Sequence, residues 1–407
     1  MIGNMVENNT PETPSRIEPC FLEEARGELL DLVAELPALA SRLGARLHPR
    51  TAENLAGLVR IMNCYYSNLI EGNNTRPRDI ERALANDLDT DERRRSLQLE
   101  AKAHVRVQAI IDREFAAGTL GAPASAAFVK RLHREFYHDA PEDTLRIKGA
   151  GRAFMMVPGS FRNDPAHDVS VGRHVPPSSP AVEAFMAHFE KRYGERAGMA
   201  ERLLALPAAH HRLNYIHPFP DGNGRVSRLM SHAMALQAGI GAHGLWSISR
   251  GLARGLGGGI EGKGEYKRMM DHADTPRQGD LDGRGNLSAR ALTEFSLWFL
   301  KLCRDQIIFM SGLFDLDGLS QRLRDFAGQM RLRPEAGRLL AETLHRGEIA
   351  RGDVAGATGL GERTARTMLA ELLDRKVLGA QSAKGPVSLR FPADALDVLF
   401  PRLFAES

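Results

Sequence analysis

His217-Pro218-Phe219-Pro220-Asp221-Gly222-Asn223-Gly224-Arg225-Val226-Ser227-Arg228 is the stretch that decides how this 407-residue sequence is interpreted. Amphipathic segments at 203–216 and 226–236 flank it, so the pattern predicts a short glycine-bearing loop that opens a helix. Free backbone N–H groups at a helix start attract anions. Gly222 and Gly224 would let the backbone approach the anion closely. The stretch therefore predicts a phosphate cradle.

The side chains around this cradle fit phosphoryl chemistry. Asp221 offers hard oxygen ligands for Mg²⁺, and Arg225 and Arg228 are three residues apart, so both can face a polyphosphate. His217 has the intrinsic pKa needed to accept a proton from an attacking hydroxyl. A purely structural interpretation, in which His217 and Asp221 only cap and pack a corner, would have to supply all of these roles by coincidence.

The stretch resembles the Fic signature HPFxDGNGRxxR, and the resemblance extends over most of residues 50–310. It implies a mainly α fold, a Fic helical bundle with a β-hairpin flap. It also implies transfer of AMP from ATP to a Ser, Thr or Tyr hydroxyl of a target protein, with release of pyrophosphate. By this resemblance His217 is the base and Asp221 holds Mg²⁺ or Mn²⁺. The phosphate contacts fall to Gly222, Asn223, Gly224, Arg225 and Arg228. Removal of AMP, or transfer of another nucleotide or phosphate group, would use the same loop.

A second motif, Ser67-Asn68-Leu69-Ile70-Glu71-Gly72-Asn73, ends the helix predicted at 52–70. It resembles the Fic inhibitory motif [S/T]xxxE[G/N]. The resemblance implies that Glu71 pairs with Arg228 and so misaligns ATP, with Ser67 and Gly72 completing the motif. Ordinary helix termination, with Gly72 and Asn73 as a C-cap, is the alternative.

Two further features are expected around the loop. The Gly- and Pro-punctuated stretch 149–174 ends in alternating residues and predicts a β-hairpin. Its part 159–174 corresponds in position to the Fic flap, where a target protein docks by strand addition; an edge hairpin that merely covers the core is the alternative. Tyr266 corresponds to residues that line the nucleobase pocket in the family, although it could equally belong to the core.

The sequence pattern changes after about residue 332, and residues 313–407 predict a linker helix and a winged helix-turn-helix. Its helices are expected at 334–344, 351–355 and 362–373, with two strands within 377–391. Basic residues mark a plausible DNA surface: Arg363, Arg366, Arg375, Lys376, Lys384 and Arg390. The acidic residues among them leave dimerisation or protein recruitment open as alternatives. A separate alternative for the whole chain is a DNA-binding regulator whose Fic core only senses nucleotide.

The predicted domains are a mobile tail (1–20), N-terminal helices that include the inhibitory one (21–120), the catalytic core (121–312) and the C-terminal module (313–407). A net charge of +3 demands neither nucleic acid nor membrane as a partner. The three cysteines, Cys20, Cys64 and Cys303, fit no disulfide framework or metal spacing. With no membrane-length apolar run and no signal-peptide core, these features predict a cytoplasmic protein.

Overall fold

The computed structural model describes residues 12–22, 27–149, 152–194, 196, 198–258 and 262–404. Most of the predicted tail, residues 1–11, lies outside them. The described chain is mainly helical. In chain order its α-helices are α1 (Glu28–Arg42), α2 (Pro49–Ile70), α3 (Pro77–Leu84), α4 (Glu92–Ala116), α5 (Ala126–Tyr137), α6 (Glu142–Leu145), α7 (Val182–Tyr193), α8 (Met199–Ile216), α9 (Asn223–Gln237), α10 (Ile248–Arg254), α11 (Gly262–Ala273), α12 (Ala289–Leu313), α13 (Leu316–Gln329), α14 (Pro334–Arg346), α15 (Val354–Thr358), α16 (Glu362–Asp374) and α17 (Leu396–Leu399).

The mainly α prediction is confirmed, and several helix bounds agree with the sequence pattern to within a few residues. The helix predicted at 52–70 is α2, which begins at Pro49 after His48, whose side chain accepts a hydrogen bond from the backbone N–H of Arg50. The two helices that flank the glycine-bearing loop are α8 and α9.

The chain divides into two compact units, each built from three separate segments. The first unit comprises Met1–Ala34, Ala117–Ala238 and Arg254–Leu302, and it contains the loop between α8 and α9. The second comprises Glu35–Ala116, Gly239–Ala253 and Cys303–Ser407.

The β-hairpin lies earlier than predicted. Strands β1 (Arg146–Gly149) and β2 (Arg152–Met155) pair antiparallel, whereas the pairing within 159–174 is one isolated bridge between Val171 and His174. The prediction of a hairpin over 149–174 was therefore wrong in position. Pro165 has no N–H for a ladder, and a 3₁₀ turn begins there with the Asp164 side chain accepting from the next N–H.

In the second unit, the three helices predicted within 334–373 are present as α14, α15 and α16. Strands β3 (Leu378–Ala380) and β4 (Val387–Leu389) pair antiparallel after them. The exposed arginines of α16 are partly neutralised along the helix, because Arg366 pairs with Glu362 at 3.1 Å and Arg375 pairs with Glu371 at 2.9 Å.

No helix in the described part of the chain is long and apolar enough to cross a bilayer. Cys20, Cys64 and Cys303 are all buried free thiols. Burial raises the pKa of the Cys20 thiol to about 12, so that this side chain stays protonated and behaves as a small apolar group.

Candidate active site

The loop between α8 and α9 is held by two residues with left-handed backbone conformations. His217 caps α8 with φ 51° and ψ 60°, and its N–H donates to the carbonyl of Leu213 at 3.0 Å. Gly222 precedes α9 with φ 82°. A Cβ at Gly222 would lie 2.7 Å from the hydroxyl of Tyr137, so both the backbone and the close neighbour require glycine here. The expected tight turn and helix start are thus present.

Asn223 fastens the loop from inside. Its Oδ1 accepts from the N–H of Phe219 at 2.9 Å, and its Nδ2 donates to the carbonyl of Phe219 at 2.8 Å. This side chain therefore does not cap α9 itself, and the first N–H groups of α9 have no intrahelical acceptor. That arrangement suits the anion-binding role predicted for Gly222, Asn223 and Gly224.

Arg162 holds the end of α8, a role that the sequence did not reveal. Its fully buried guanidinium donates to the carbonyls of Ile216 at 3.0 Å, His217 at 2.7 Å and Pro177 at 2.6 Å, and to the Ser179 hydroxyl at 3.0 Å. Burial lowers the pKa of Arg162 to about 10, which still leaves it charged at neutral pH. The carbonyls at a helix C-terminus are thus satisfied by a cation, which fixes the backbone that carries His217.

The imidazole of His217 is neutral at physiological pH. Burial lowers its pKa to about 4, and the nearby positive charges of Arg162 and His174 act in the same direction. The ring also hydrogen-bonds the backbone of Asn214, which alone would raise the pKa. A neutral imidazole beside the start of α9 can accept a proton, which is the property that the predicted base requires.

Asp221 offers a carboxylate that is 47% exposed. Its Oδ2 accepts from the Tyr137 hydroxyl at 3.0 Å and lies 4.0 Å from the guanidinium of Arg225, whereas no described residue bonds Oδ1. His133 fixes the backbone here: its Nδ1 accepts from the N–H of Gly159, so its Nε2 carries the proton and donates to the Asp221 carbonyl at 3.2 Å. A positioned carboxylate with one open oxygen fits a hard divalent cation.

The two arginines of the stretch are both largely buried, Arg225 at 8% and Arg228 at 1% exposure. Arg225 lies over the Phe136 ring at 5.4 Å, and its Nη1 donates to the Tyr137 hydroxyl at 3.4 Å. Tyr137 thereby links Asp221 and Arg225. The structure thus brings Asp221 and Arg225 together through a residue of α5, outside the motif.

The segment that carries Ser67, Glu71 and Gly72 belongs to the second unit, where it ends α2. Gly72 has φ 90°, its N–H donates to the carbonyl of Leu69 at 3.1 Å, and the N–H of Asn73 donates to that of Asn68 at 2.9 Å. This bond pair is a Schellman motif, so the C-cap interpretation of Gly72 and Asn73 is correct for the backbone. The cap itself is made by backbone groups alone.

Tyr266 lies in α11 and is only 7% exposed. Its hydroxyl is 2.9 Å from Nε2 of the buried His210, and its ring stacks near Trp298 at 6.3 Å. Its role at a nucleobase remains a prediction.

Two other features do not resemble the loop. A cavity of about 580 Å³, lined by Arg196, Arg202 and Gln237 among others, lies toward the N-terminal end of α8, away from His217. Glu18, Cys20 and His188 place three ligand atoms within 4.8 Å of one another. The Glu18 carboxylate is paired with Arg192 at 2.8 Å, and the Cys20 thiol stays protonated. Because a metal ion needs deprotonated and unpaired ligands, this group is poorly suited to bind one.

Sequence reasoning did not find Arg162, His133 or Tyr137. These residues lie 55 to 88 positions away from their partners in the loop. The one available signal was the spacing of His133 and Tyr137 on one face of the predicted helix that became α5, and that spacing equally suits the core.

Part of the chain is similar to a known protein family. Residues 123–235 match the model of the Fic/DOC family. The protein adenylyltransferase Fic of Aedes aegypti is 39% identical over 82 residues, which are 20% of this chain and 16% of that protein. The enzyme of the same name from Drosophila melanogaster is 37% identical over 82 residues, with the same coverage. The match thus spans about a sixth of the length of these relatives.

The fold also has a known counterpart. A crystal structure of a Fic family protein from Desulfovibrio desulfuricans G20 superposes with a TM-score of 0.51 and 16% identity, covering 90% of this chain and 97% of that one. The likeness concerns the fold alone, and it supports the mainly α Fic architecture.

Proposed function

Because residues 123–235 are a Fic/DOC domain, we propose that the protein is a self-inhibited AMP-transferase that moves AMP from ATP to a hydroxyl of a target protein. The observation that carries the proposal is the neutral imidazole of His217, fixed at a left-handed helix cap directly before the start of α9. The shared name of the relatives, protein adenylyltransferase Fic, supports the reaction type.

The chemistry assigned to the loop is an in-line displacement at the α-phosphate. His217 accepts the proton of a Ser, Thr or Tyr hydroxyl as that oxygen forms a bond to the α-phosphorus. The bond from phosphorus to the bridging oxygen breaks, and pyrophosphate leaves. The N–H groups of Asn223 and Gly224 and the guanidinium groups of Arg225 and Arg228 would hold the phosphates.

Asp221 would hold Mg²⁺ or Mn²⁺ through its open carboxylate oxygen. When bound, the ion would neutralise charge on the phosphates. Tyr137 and His133 orient Asp221 from α5, one at the carboxylate and the other at the backbone carbonyl. This outer support would keep the carboxylate in place whether or not nucleotide is bound.

The self-inhibition assigned to Glu71, with Ser67 and Gly72, rests on the motif. Glu71 is the exposed residue that directly follows α2. A carboxylate paired with Arg228 would deny that arginine to the γ-phosphate, so ATP would bind with its α-phosphate misaligned.

Substrate binding outside the loop is proposed more broadly. The segment 159–174 would dock the target, with Gly159 and Arg162 anchoring it to α5 and α8. Tyr266 would approach the nucleobase of ATP only if the packing around His210 adjusts.

The module at 334–391 is proposed as a winged helix-turn-helix that binds DNA or a protein, or forms a homodimer. We propose the cytoplasm as the compartment.

The test compares wild type, Glu71→Gly, Glu71→Gln and His217→Ala, each incubated with ATP labelled at the α-phosphate, Mg²⁺ and a bacterial lysate. We expect more labelled protein with both Glu71 variants than with wild type, and none with His217→Ala. Glu71→Gln keeps the size of the side chain and removes only its charge.

Equal labelling by wild type and both Glu71 variants would remove the self-inhibition from the proposal. Labelling that survives in His217→Ala would remove the assigned base. Salt-dependent DNA binding without labelling of any protein would favour the nucleotide-sensing regulator.

A further inference from the structure

A cavity rich in arginine lies within the second unit, and none of its lining residues belongs to the recognised motifs. Its volume is about 460 Å³, and it lies between the start of α3, the start of α4 and the segment that joins α2 to α3. A cavity of this volume is in the range that holds a small molecule. Its charged lining consists of four arginines and two aspartates: Arg76, Arg78, Arg82, Arg94, Asp79 and Asp89.

Two of the four arginines already have acidic partners. Arg82 contacts Asp87 at 2.8 Å, and its Nη1 lies 4.0 Å from carboxylate oxygens of both Asp79 and Asp89. Arg94 lies 3.9 Å from Asp89. Because these carboxylates are already shared with guanidinium groups, they are poorly suited to hold a cation.

The other two arginines, Arg76 and Arg78, are exposed, and their side chains make no hydrogen bond or ion pair with any described residue. Glu81 lies close enough to Arg78 for their charges to interact, but its Oε2 accepts from the N–H of Ala393 at 3.1 Å. Arg76 is also the N-cap of α3 and gives no side-chain bond to the first N–H groups of that helix. Two guanidinium groups and an uncapped helix start therefore bring positive charge to the cavity.

Two buried polar side chains complete the lining. Thr75 is 4% exposed and Gln98 is 2% exposed. Oγ1 of Thr75 accepts from Nδ2 of Asn68 at 3.4 Å, and no residue in the described part of the chain accepts the hydroxyl proton. Oε1 of Gln98 accepts from the N–H of Asp89 at 2.7 Å, whereas its Nε2 lies 3.5 Å from two backbone carbonyls, near the outer limit of a hydrogen bond. Both side chains thus keep capacity to donate to a ligand.

We propose that this cavity binds a small molecule that carries linked phosphate groups, with Arg76 and Arg78 as its main contacts. A guanidinium group matches phosphate oxygens through paired hydrogen bonds. A phosphate chain presents acceptors in several directions, so it can also take the donors of Thr75 and Gln98, whereas a planar carboxylate offers fewer directions. The cavity is built from residues of the second unit alone, and the loop between α8 and α9 belongs to the first, so the inference does not depend on the proposed function.

The experiment follows deuterium exchange of backbone amides in peptides from residues 72–98 of the full-length protein, titrated with inorganic tripolyphosphate, with citrate or with ATP. The readout is local, so binding of ATP at the loop between α8 and α9 is followed separately in peptides that cover residues 217–228. The test variant combines Arg76→Gln with Arg78→Gln. The matched control combines Arg93→Gln with Arg95→Gln, which removes the same charge from two exposed arginines of α4 that do not line the cavity.

We expect tripolyphosphate to slow exchange in the 72–98 peptides of the wild type. The concentration that gives half of this effect should rise at least about tenfold in the test variant and less than about twofold in the control. Because both replaced arginines are exposed, the test variant should keep the wild-type melting temperature; if it does not, Arg78→Gln alone serves as the test variant.

Three outcomes would overturn the proposal. The first is exchange that tripolyphosphate leaves unchanged in the wild type. The second is an equal loss of affinity in the test and control variants, which would show a general attraction of anions to basic side chains. The third is protection by citrate as strong as that by tripolyphosphate, which would remove the assignment to phosphate. If ATP protects the same peptides at a lower concentration than tripolyphosphate does, the ligand is a nucleotide, and the reverse order indicates an inorganic polyphosphate.

Discussion

Replacing Arg162 should show how far the structure of the loop between α8 and α9 depends on one residue outside the motif. We consider Arg162→Met, which keeps part of the buried volume but no donor, and Arg162→Lys, which keeps the charge without the planar fork. The guanidinium is fully buried and makes four hydrogen bonds, three of them to carbonyls.

The expected loss follows from these contacts. Hydrogen bonds to a charged group contribute about 2 kcal/mol each, or about 8 kcal/mol for four. Against this, burial lowers the pKa of Arg162 from 12.5 to about 10. A shift of that size reports a desolvation cost on the order of 3 kcal/mol, which the methionine variant no longer bears. The difference is about 5 kcal/mol, and local relaxation reduces it to about 3–5 kcal/mol for Arg162→Met.

For a unit of this size the loss corresponds to a melting temperature lower by about 6–20 °C. Thermal unfolding measured by circular dichroism checks this value. Activity is checked below the melting range by the labelling that each Arg162 variant gives when it also carries Glu71→Gly. We expect Arg162→Lys to fall between wild type and Arg162→Met in both assays. A melting temperature within about 2 °C of wild type for Arg162→Met, with labelling unchanged, would refute the view that this cation organises the loop.

Three further outcomes are expected. Since burial lowers the pKa of His217 to about 4, the labelling rate at limiting ATP should rise as pH increases through about 4 and be constant around neutral pH. A labelling rate that rises instead near the ordinary histidine pKa of about 6.5 would contradict the assignment of His217 as the base. Burial also lowers the pKa of His133 to about 4 and of His210 to about 3. The stabilisation that these two neutral rings contribute is therefore present above about pH 6.5 and is lost as pH falls toward 4. Melting curves over this interval would detect the loss, and His210→Gln should make the melting temperature depend less on pH. Tyr137→Phe removes the hydrogen bond to Asp221 and should raise the KM for ATP about five- to tenfold, equivalent to about 1–1.4 kcal/mol; Tyr193→Phe, which loses a buried bond to the Cys20 carbonyl, should leave the KM unchanged.

The sequence predicted elements wherever one local pattern determined the structure. The end of α2 at Ile70 agreed with the prediction because Gly72 follows as its cap, whereas its start at Pro49 lies three residues before the predicted Ala52. The hairpin was misplaced because alternation at 169–174 is a local signal, whereas pairing also depends on Pro165 and on side chains that capture the backbone. Residues that support the loop, such as Arg162 and Tyr137, could not be found because their partners lie far away in sequence.

The polarity of the two helices explains why these supports are cationic at one end of the loop. The C-terminus of α8 carries a partial negative charge, and its last carbonyls are satisfied by Arg162 and His174. The N-terminus of α9 carries a partial positive charge, and the side chain of Asn223 is occupied by Phe219 and leaves that terminus uncapped. One helix end is thus closed by the protein's own side chains, with Arg162 as the cation, while the other remains suited to an anion. His217 lies at the closed end, where burial and neighbouring positive charges keep it unprotonated. One short loop separates it from the start of α9, where a phosphate would bind.

The same asymmetry predicts the effect of a negative charge introduced at the start of α9. Gly224→Asp should abolish labelling, whereas the charge-neutral Gly224→Ala should retain more of it. ATP-dependent labelling by the two variants would test this.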